Sequence, residues 1–339
     1  MDARHRPAQR ESRGFKYGGR RLTAMDVPRV SLAQVRDAAA RIKGSVYRTP
    51  LLPSSRFDEG SVLLKLECLQ PTGSFKVRGA WNMMSRSTAE EKRKGFLTIS
   101  AGNHGQAVAW GAKRLGAPCT VYVPTDAVQR KVDSMESMGA KIVRRPHREI
   151  MDAMTDDRMA KMGMTFVHPF GDPMVVAGQG TVGLEILEDL PGVKSIVVPI
   201  GGGGLVSGIA QAVRAEAPGV KVYGVQAEGA APVPKSLATG KAEDVGEPHT
   251  IADGIGATKA YDYMLPIMRE QLAGVFTVSD DVIKAAMKRL VLESHVAPEP
   301  AGAASFACAL KQAGEIPEPT VCVVSGGNAD PALLASLLS

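Results

Sequence analysis

Short apolar runs alternate with segments of helical spacing along most of the chain. The strand-like runs are VLLKLE (62–67), FLTIS (96–100), CTVYVP (119–124), AKIVRR (140–145), TFVHP (165–169), KSIVVPI (194–200), VKVYGVQ (220–226), GVFTVSD (274–280) and TVCVVSGGN (320–328). Between them, apolar residues recur every three to four positions, as on one face of a helix. This alternation predicts parallel βαβ units, and therefore an α/β fold of open, mostly parallel sheets flanked by helices.

Capping residues mark several of the predicted helix ends. Ser31 precedes a helical pattern that runs to Ile42, and Ser87 precedes one that stops at Gly95, with Glu90 completing a capping box. A helix is also expected after AKIVRR, through about residue 162. Open parallel sheets bind ligands at the carboxyl ends of their strands, so the loops that follow strands are where chemistry is expected.

The composition is typical of a soluble globular protein, with 44% hydrophobic and 22% charged residues. The 339 residues suffice for one large or two ordinary domains. No uninterrupted apolar run reaches the roughly 18 residues that a membrane helix needs. The cysteines, Cys68, Cys119, Cys308 and Cys322, show no CxxC spacing. They are expected to be reduced core residues in the cytoplasm, without a structural zinc site.

The positive charge of the chain is concentrated at its N-terminus. The basic residues there are Arg4, Arg6, Arg10, Arg13, Lys16, Arg20 and Arg21, against Asp2 and Glu11, so residues 1–24 carry +5 of the net +6. Such a segment has too few apolar residues to fold and lacks the apolar region of a secretion signal. Residues 1–25 are therefore expected to be a disordered basic tail. A transit peptide, a nucleic-acid arm and an upstream start before Met25 stay open, but nucleic-acid binding is not expected.

The loop QPTGSFK (70–76) follows the first of the strands and ends on Lys76, in the first turn of the next predicted helix. The N-terminus of a helix carries partial positive charge, so an ammonium group is unfavourable there. One interpretation is that Lys76 points into water. The other is that the site needs an uncharged amine, which would act as a nucleophile and a base.

The loop IGGGGL (200–205) joins a predicted strand to a helix. Its four consecutive residues without Cβ atoms let backbone N–H groups surround an anion, and the helix N-terminus favours negative charge. The next strand ends on Gln226 instead of the acidic residue that would bind a ribose, and no GxxxxGK[ST] sequence is present. The loop therefore predicts phosphate binding, while a dinucleotide and a nucleoside triphosphate are both disfavoured.

Two further loops carry polar groups at strand ends. SAGNHG (100–105) offers Ser100, Asn103 and backbone amides to a carboxylate or a ring hydroxyl, while His104 is either catalytic or a structural histidine. SGGN (325–328) places the hydroxyl of Ser325 at the end of the last strand. An amine, a phosphate site, a carboxylate site and a hydroxyl together match what pyridoxal 5′-phosphate and an amino acid require.

Seven motifs extend this match along the chain. In order they are PTGSFKVRGA (71–80), SAGNHGQA (100–107), VAGQGTVGLEI (176–186), VPIGGGGLVSGIA (198–210), TIADGI (250–255), EPAGAA (299–304) and VVSGGNAD (323–330). From about Val30 to the C-terminus the chain resembles the serine/threonine dehydratase and serine racemase family, which are fold-type II pyridoxal-phosphate enzymes. The resemblance implies two domains, a large cofactor-binding domain of residues 26–90 and 172–339 and a small domain of residues 91–171.

The resemblance also implies a role for each site residue. Lys76 would form the Schiff base with the cofactor, and Phe75 would pack beside its ring. Asn103 would contact the ring oxygen and Ser325 the pyridine nitrogen. The phosphate would lie on Gly201, Gly202, Gly203, Gly204 and Leu205. The substrate carboxylate would be held by Ser100, Ala101, Gly102, Asn103 and His104.

The expected reaction is β-elimination from a 3-hydroxy-L-amino acid, threonine or serine, giving a 2-oxo acid and ammonia. The neutral hydroxyl of Ser325 does not keep the ring nitrogen protonated, which favours elimination over transamination. The racemases of the family carry a serine at the position of Ala101, and alanine cannot transfer a proton, so a dehydratase is favoured over a racemase. No divalent metal site is expected, because Gln226 and Pro232 occupy the positions of its acidic ligands; a monovalent cation near Glu228 stays open.

Several alternatives remain at this point. The substrate could be another 3-hydroxy amino acid, such as 3-hydroxyaspartate or phenylserine, with Phe170 beside its side chain. Serine racemase is a second alternative, and a β-replacement synthase is disfavoured because the chain lacks the TSGNT loop of those relatives. The expected partners are a small amino acid and further copies of the chain, in a homodimer or homotetramer, and no membrane.

Overall fold

The computed structural model describes residues 15–17, 20–22, 27–55, 60–146, 149–150 and 162–339. Within the basic tail, strands β1 (Phe15–Tyr17) and β2 (Arg20–Leu22) pair antiparallel. These two paired strands lie within the segment for which disorder is expected. Disorder in the rest of residues 1–25 stays a prediction.

The remaining elements alternate between strands and helices, as predicted. The strands are β3 (Leu51–Pro53), β4 (Val62–Lys65), β5 (Phe96–Ile99), β6 (Cys119–Pro124), β7 (Lys141–Arg145), β8 (Thr165–Phe166), β9 (Ser195–Pro199), β10 (Lys221–Ala227), β11 (Gly274–Val278) and β12 (Thr320–Val323). The helices described are α1 (Leu32–Ile42), α2 (Lys76–Met84), α3 (Ala89–Lys94), α4 (Asn103–Leu115), α5 (Gln129–Ser137), α6 (Pro173–Asp189), α7 (Gly204–Glu216), α8 (Pro232–Thr239), α9 (Leu265–Gln271), α10 (Asp280–Ser294), α11 (Pro300–Lys311) and α12 (Pro331–Leu338).

The strands form two larger sheets. One has the order β11-β10-β9-β12-β4-β3 and is parallel except for the edge strand β3. The other has the order β7-β6-β5-β8 and is parallel throughout. The predicted α/β class with open, mostly parallel sheets is confirmed. The first sheet takes its strands from 51–65 and 195–323 and the second from 96–166, while the boundaries of the two domains stay a prediction.

Helix α2, which begins at Lys76, is held by a close crossing with α6. A Cβ atom on Gly178 would lie 2.6 Å from Cα of Gly79, so the two backbones approach where neither residue has a side chain. Along this helix, residues 77–84 are buried. The crossing fixes the first residue of α2 relative to both sheets.

A buried ion network lies along the same helix. The Arg78 guanidinium is fully buried and contacts two carboxylates, Glu67 and Glu185, with four N–O distances of 2.7 to 2.8 Å. Lys65, also fully buried, pairs with Glu185 at 2.7 Å, and Thr49 donates to Glu67 at 2.6 Å. Burial alone would raise the pKa of Glu67, but Arg78 and Thr49 outweigh it and lower that pKa. Each buried charge of the network is therefore paired.

Some predicted boundaries were wrong or incomplete. The cap of α3 is Thr88 with Glu91, one residue beyond the predicted pair of Ser87 and Glu90, while the stop at Gly95 is confirmed. Strand β3 and helices α8, α9 and α11 were not predicted from the sequence. Helix α11 escaped detection because residues 300–309 are all buried, so its sequence has no polar face that alternates with an apolar one. The helix expected through residue 162 lies mostly outside the described residues.

The cysteines agree with their expected state. All four are free thiols, three buried and Cys68 half-buried. In the described ranges, none of the helices combines the length and the apolar character that crossing a bilayer requires.

Candidate active site

A cavity of about 500 Å³ contains every predicted site residue. Its lining includes Phe75, Lys76, Ser100, Ala101, Gly102, Asn103, His104, Gly201, Gly202, Gly203, Gly204, Leu205 and Ser325. These residues come from loops that follow β4, β5, β9 and β12, so the carboxyl ends of strands from both sheets face one space. Phe170, expected near the substrate side chain, also lines it.

Lys76 is half-buried in the cavity wall, and its Nζ donates to the backbone oxygen of Pro169 at 2.7 Å. Burial lowers the pKa of this amine from 10.5 to about 8. Among the described residues, no carboxylate forms an ion pair with it, in contrast to the paired Lys65. The expectation of an amine with destabilised charge thus agrees with the structure, and burial is the cause of the lowered pKa.

The glycine loop opens helix α7, whose N-terminal backbone lies in the cavity wall. Gly203 has a φ of 90°, which favours glycine. A Cβ atom on Gly202 would overlap the ring of Phe170, and one on Gly204 would lie 2.7 Å from its carbonyl oxygen. The loop is therefore pressed against Phe170, which in turn packs on Tyr261 with ring centroids 4.6 Å apart.

The N-terminus of helix α4 forms another side of the cavity. Asn103 is the first residue of the helix, and Ser100 accepts a hydrogen bond from the amide of Gly102 at 3.2 Å. His104 is buried, and its Nε2 lies 3.0 Å from the carbonyl oxygen of Val167. Burial, with Lys76 nearby, holds the pKa of His104 well below its usual range, so the ring is neutral and Nε2 donates. Its Nδ1 is buried without a hydrogen-bond partner among the described residues.

Ser325 and Asn103 lie where the last strand meets α4. Ser325 is 4% exposed, and its hydroxyl has a long contact of 3.5 Å to the backbone oxygen of Ala301. Asn103 donates from Nδ2 to Glu299 Oε1 at 2.6 Å and accepts at Oδ1 from Asn328 Nδ2 at 2.8 Å. The Ser325 hydroxyl is thus only weakly engaged, whereas the Asn103 amide is fixed at both ends.

Sequence reasoning missed five polar residues of the cavity wall, one of which is Asp126. Glu299 contacts Asn103, Lys131 of α5 pairs with Asp253, and the buried Gln179 has no partner for either amide atom among the described residues. Three of these residues lie inside motifs quoted above: Glu299 in EPAGAA, Asp253 in TIADGI and Gln179 in VAGQGTVGLEI. The motifs could therefore have indicated them. Lys131 lies outside these motifs.

The cavity fits pyridoxal 5′-phosphate by its chemistry. A low-pKa amine suits an aldehyde, a glycine loop at a helix N-terminus suits a phosphate, and a weakly bonded hydroxyl suits a ring nitrogen. Phe75 lies beside the amine, with its ring centroid 5.2 Å from Lys76 Nζ. Unpartnered polar atoms, Nδ1 of His104 and the Gln179 amide, are those that a polar ligand would satisfy.

Gln226 and Glu228, the positions discussed above for divalent and monovalent cations, contact other protein groups. Gln226 donates to the backbone oxygen of Ile200 at 3.2 Å and accepts from the amide of Val233 at 2.9 Å. Glu228 pairs with Lys311 at 3.1 Å, so a monovalent cation there stays a prediction. Within the part of the chain that the structure describes, no group of three or more His, Cys, Asp or Glu side chains could hold a metal ion.

Comparison with known proteins agrees with this chemistry. A family model described as pyridoxal-phosphate dependent enzyme matches residues 42–327. L-Threonine ammonia-lyase of Thermotoga maritima is 39% identical, over 89% of this chain and 76% of that protein. The crystal structure of a threonine deaminase from T.th. has a TM-score of 0.83 at 36% identity, covering 89% of this chain and 99% of the other. Maize serine racemase has a TM-score of 0.84 at 35% identity, covering 91% and 96%.

The family model spans far more than half of the chain, and these relatives exceed 30% identity over nearly all of it. The resemblance seen in the sequence motifs is confirmed by these relatives, and the chemistry of the cavity agrees with it. The chain therefore belongs to the family of pyridoxal-phosphate dependent enzymes.

Proposed function

We propose that this enzyme is an ammonia-lyase that eliminates the hydroxyl group of L-threonine, and of L-serine, to give a 2-oxo acid and ammonia. The observation that carries the proposal is Lys76, an amine of lowered pKa in a cavity that also contains an anion-binding loop. Two of the relatives named above, a threonine ammonia-lyase and a threonine deaminase, support elimination from a small hydroxy amino acid. The third is a serine racemase, which is why racemisation is kept as an alternative.

The cofactor, when bound, supplies an electron sink that stabilises negative charge at the substrate Cα. The protein supplies attachment, orientation and proton transfer. Lys76 Nζ would hold the cofactor, and an amine with a pKa of about 8 is suited to accept the proton from the substrate Cα. The backbone of Gly201 to Gly204 and Leu205 would hold the phosphate at the N-terminus of α7.

Different residues would contact the pyridine nitrogen and the ring oxygen of the cofactor. Ser325 would face the pyridine nitrogen as a neutral partner, and Asn103 would offer an N–H group to the ring oxygen. Phe75 would pack beside the ring. A neutral partner would leave the ring a weaker electron sink than a carboxylate, which would favour loss of a β-hydroxyl group.

The substrate carboxylate binds at the N-terminus of α4, to the segment Ser100, Ala101, Gly102, Asn103 and His104. The 13-residue helix favours an anion at this end through its unpaired N–H groups. His104 is held neutral by burial, and it acts here as an oriented polar side chain, not as a cation.

Loss of Lys76 tests the proposal directly. Purified wild type should show a visible absorbance band near 410–430 nm and should release ammonia and a 2-oxo acid from L-threonine. Lys76→Ala should lose both while keeping its far-UV circular dichroism, with Lys288→Ala on the exposed face of α10 as the control that keeps both. Full turnover by Lys76→Ala would overturn the assignment.

A panel of substrates decides between this activity and its alternatives. L-Threonine and L-serine should give the highest kcat/KM, above 3-hydroxyaspartate and phenylserine. D-Serine should not form from L-serine, because Ala101 cannot move a proton. Preference for another 3-hydroxy amino acid, or racemisation faster than elimination, would reassign the substrate or the reaction.

We also propose a cytoplasmic homodimer or homotetramer. The four free thiols support a reducing compartment. Light scattering after size exclusion measures the assembly, and a monomer at micromolar concentration would contradict it. Export of the full-length protein from its native cell would contradict the compartment.

A further inference from the structure

Glu299 is a buried carboxyl group in the cavity wall to which the reaction above gives no role. It is 4% exposed and immediately precedes helix α11, yet its side chain makes no capping hydrogen bond to that helix. Its backbone amide donates to the carbonyl oxygen of Gly326 at 3.0 Å. Its side chain instead turns to Asn103 and accepts from Nδ2 at 2.6 Å.

This contact completes a chain of hydrogen bonds through the Asn103 amide. Asn103 Oδ1 accepts from Asn328 Nδ2 at 2.8 Å, and Asn328 Nδ2 also donates to the backbone oxygen of Thr72 at 2.9 Å. Rotating the amide by 180° would face donor to donor at Asn328 and acceptor to acceptor at Glu299. The network therefore permits one orientation, in which the second Nδ2 hydrogen of Asn103 has no partner among the described residues.

The SGGN loop makes room for the carboxyl group. A Cβ atom on Gly326 would overlap Oε1 of Glu299 and would lie 3.2 Å from Nδ2 of Asn103. The second residue of this loop must therefore lack a side chain for Glu299 and Asn103 to meet. The loop that carries Ser325 thus also sets the geometry of Asn103.

Glu299 changes charge in the working range of an enzyme. Burial raises the pKa of its carboxyl group to about 7, and the negative charge of Asp253 adds to this rise. Asn103 and Lys131 lower the pKa and offset part of the effect. Asp253 and Lys131 are the charged groups that face it, and both belong to the cavity wall.

We propose that Glu299 is a positioning residue that aims the free N–H of Asn103 at the ring oxygen of bound pyridoxal phosphate and strengthens that contact when it is ionised. The proposal rests on the proposed function only through the role given there to Asn103. An ionised carboxylate is a stronger acceptor than a neutral carboxyl group, so it orients the amide more firmly above neutral pH. The ring oxygen belongs to the group that absorbs visible light, so its surroundings can be followed by spectroscopy.

The test compares Glu299→Gln and Glu299→Ala with wild type, using Glu293→Gln on the surface of α10 as a matched control. The visible band of the loaded enzyme is recorded between pH 5.5 and 8.5, and cofactor affinity is measured by reloading the stripped protein. Wild type and Glu293→Gln should show a spectral step with a midpoint near pH 7. Glu299→Gln should lose the step and keep its affinity within about threefold, because the amide still offers an acceptor.

Removal of the acceptor should weaken cofactor binding. Glu299→Ala should lower the affinity by about tenfold, the loss expected for a hydrogen bond to a charged group. Asn103→Ala should lower it similarly, and the double variant should add little, since both changes remove the same contact. Should Glu299→Ala fail to fold, the titration of Glu299→Gln decides alone.

A spectral step that persists in Glu299→Gln, or independent losses in the double variant, would overturn the proposal. These outcomes are separable from failure of the proposed function. Without ammonia release from L-threonine, the spectral and affinity readouts still decide the role of Glu299. If ammonia is released from L-threonine but the spectral step persists in Glu299→Gln, only the proposed role of Glu299 is wrong.

Discussion

Replacing Lys76 with methionine should stabilise the protein in its cofactor-free form. Burial lowers the pKa of the Lys76 amine from 10.5 to about 8, so the folded chain binds this proton less tightly than the unfolded chain does. Below pH 8 the folded protein carries the full cost of the buried charge. Above pH 8 the folded chain loses this proton, and toward pH 10.5 the unfolded chain loses it as well. The destabilisation caused by the buried charge therefore disappears between these two pH values.

The magnitude follows from that difference in pKa. At about 1.4 kcal/mol for each pKa unit, a fall from 10.5 to about 8 corresponds to about 3.4 kcal/mol. Methionine also loses the hydrogen bond to Pro169, which is worth about 1 kcal/mol. Lys76→Met should therefore be more stable than wild type by about 2 kcal/mol at pH 7. Near pH 10 it should be equal to wild type or less stable.

Urea unfolding of both stripped proteins at pH 7 and pH 10 measures this difference, and equal m values let the midpoints report it. The control is Lys288→Met, an exposed lysine of α10, which should change stability by less than about 0.5 kcal/mol at either pH. A Lys76→Met protein no more stable than wild type at pH 7, or a difference that does not change with pH, would refute the reasoning.

Three further changes test other parts of the site. Ala101→Ser should add conversion of L-serine to D-serine, measured by chiral chromatography, to an enzyme that otherwise only eliminates; a racemising wild type would contradict the assignment of Ala101. Arg78→Met should lower the free energy of unfolding by about 3–5 kcal/mol, because it leaves two buried carboxylates with one cation. The exposed Arg29→Met, which removes a pair with Glu270, should cost less than about 1 kcal/mol, and equal losses in the two would contradict this. Gly202→Ala should weaken cofactor binding at least tenfold, because its Cβ has no room, while Gly219→Ala, where a Cβ meets nothing within 4 Å, should not.

The fold was predictable where local pattern and tertiary environment agree. Strand β6 was predicted at its observed limits, because CTVYVP is a short β-branched run between clear helical segments. In the structure its residues alternate between buried and half-buried, as in a strand. Helix α1 was predicted with its cap, since Ser31 and Gln34 form a capping box. Helix α11 was missed because its own residues 300–309 are all buried and mostly small or apolar, so its sequence shows no polar face. This uniformly apolar sequence reflects the burial of the helix among other elements. A single sequence does not show which elements those are.

The predicted site residues line one cavity for a topological reason. In parallel sheets, loops after strands lie at one edge, so residues as far apart as Lys76 and Ser325 share one cavity. Glu299 was missed because helix α11, which it immediately precedes, was not predicted, and because its side chain meets Asn103 only in the folded chain. Which way such a side chain turns depends on the space left by Gly326, and that space exists only after folding.

Two lysines of this protein show why burial alone does not make an amine reactive. Lys65 is fully buried, but Glu185 and Asp189 lie 2.7 and 3.7 Å from its Nζ and stabilise its charge. Lys76 is less buried, yet its only described hydrogen bond is to the backbone oxygen of Pro169. In the cavity around it, Asp253 pairs with Lys131 and Glu299 binds Asn103, so these carboxyl groups are engaged elsewhere. The pKa of Lys76 falls because burial disfavours its charge, and no carboxylate among the described residues pairs with it to offset that cost.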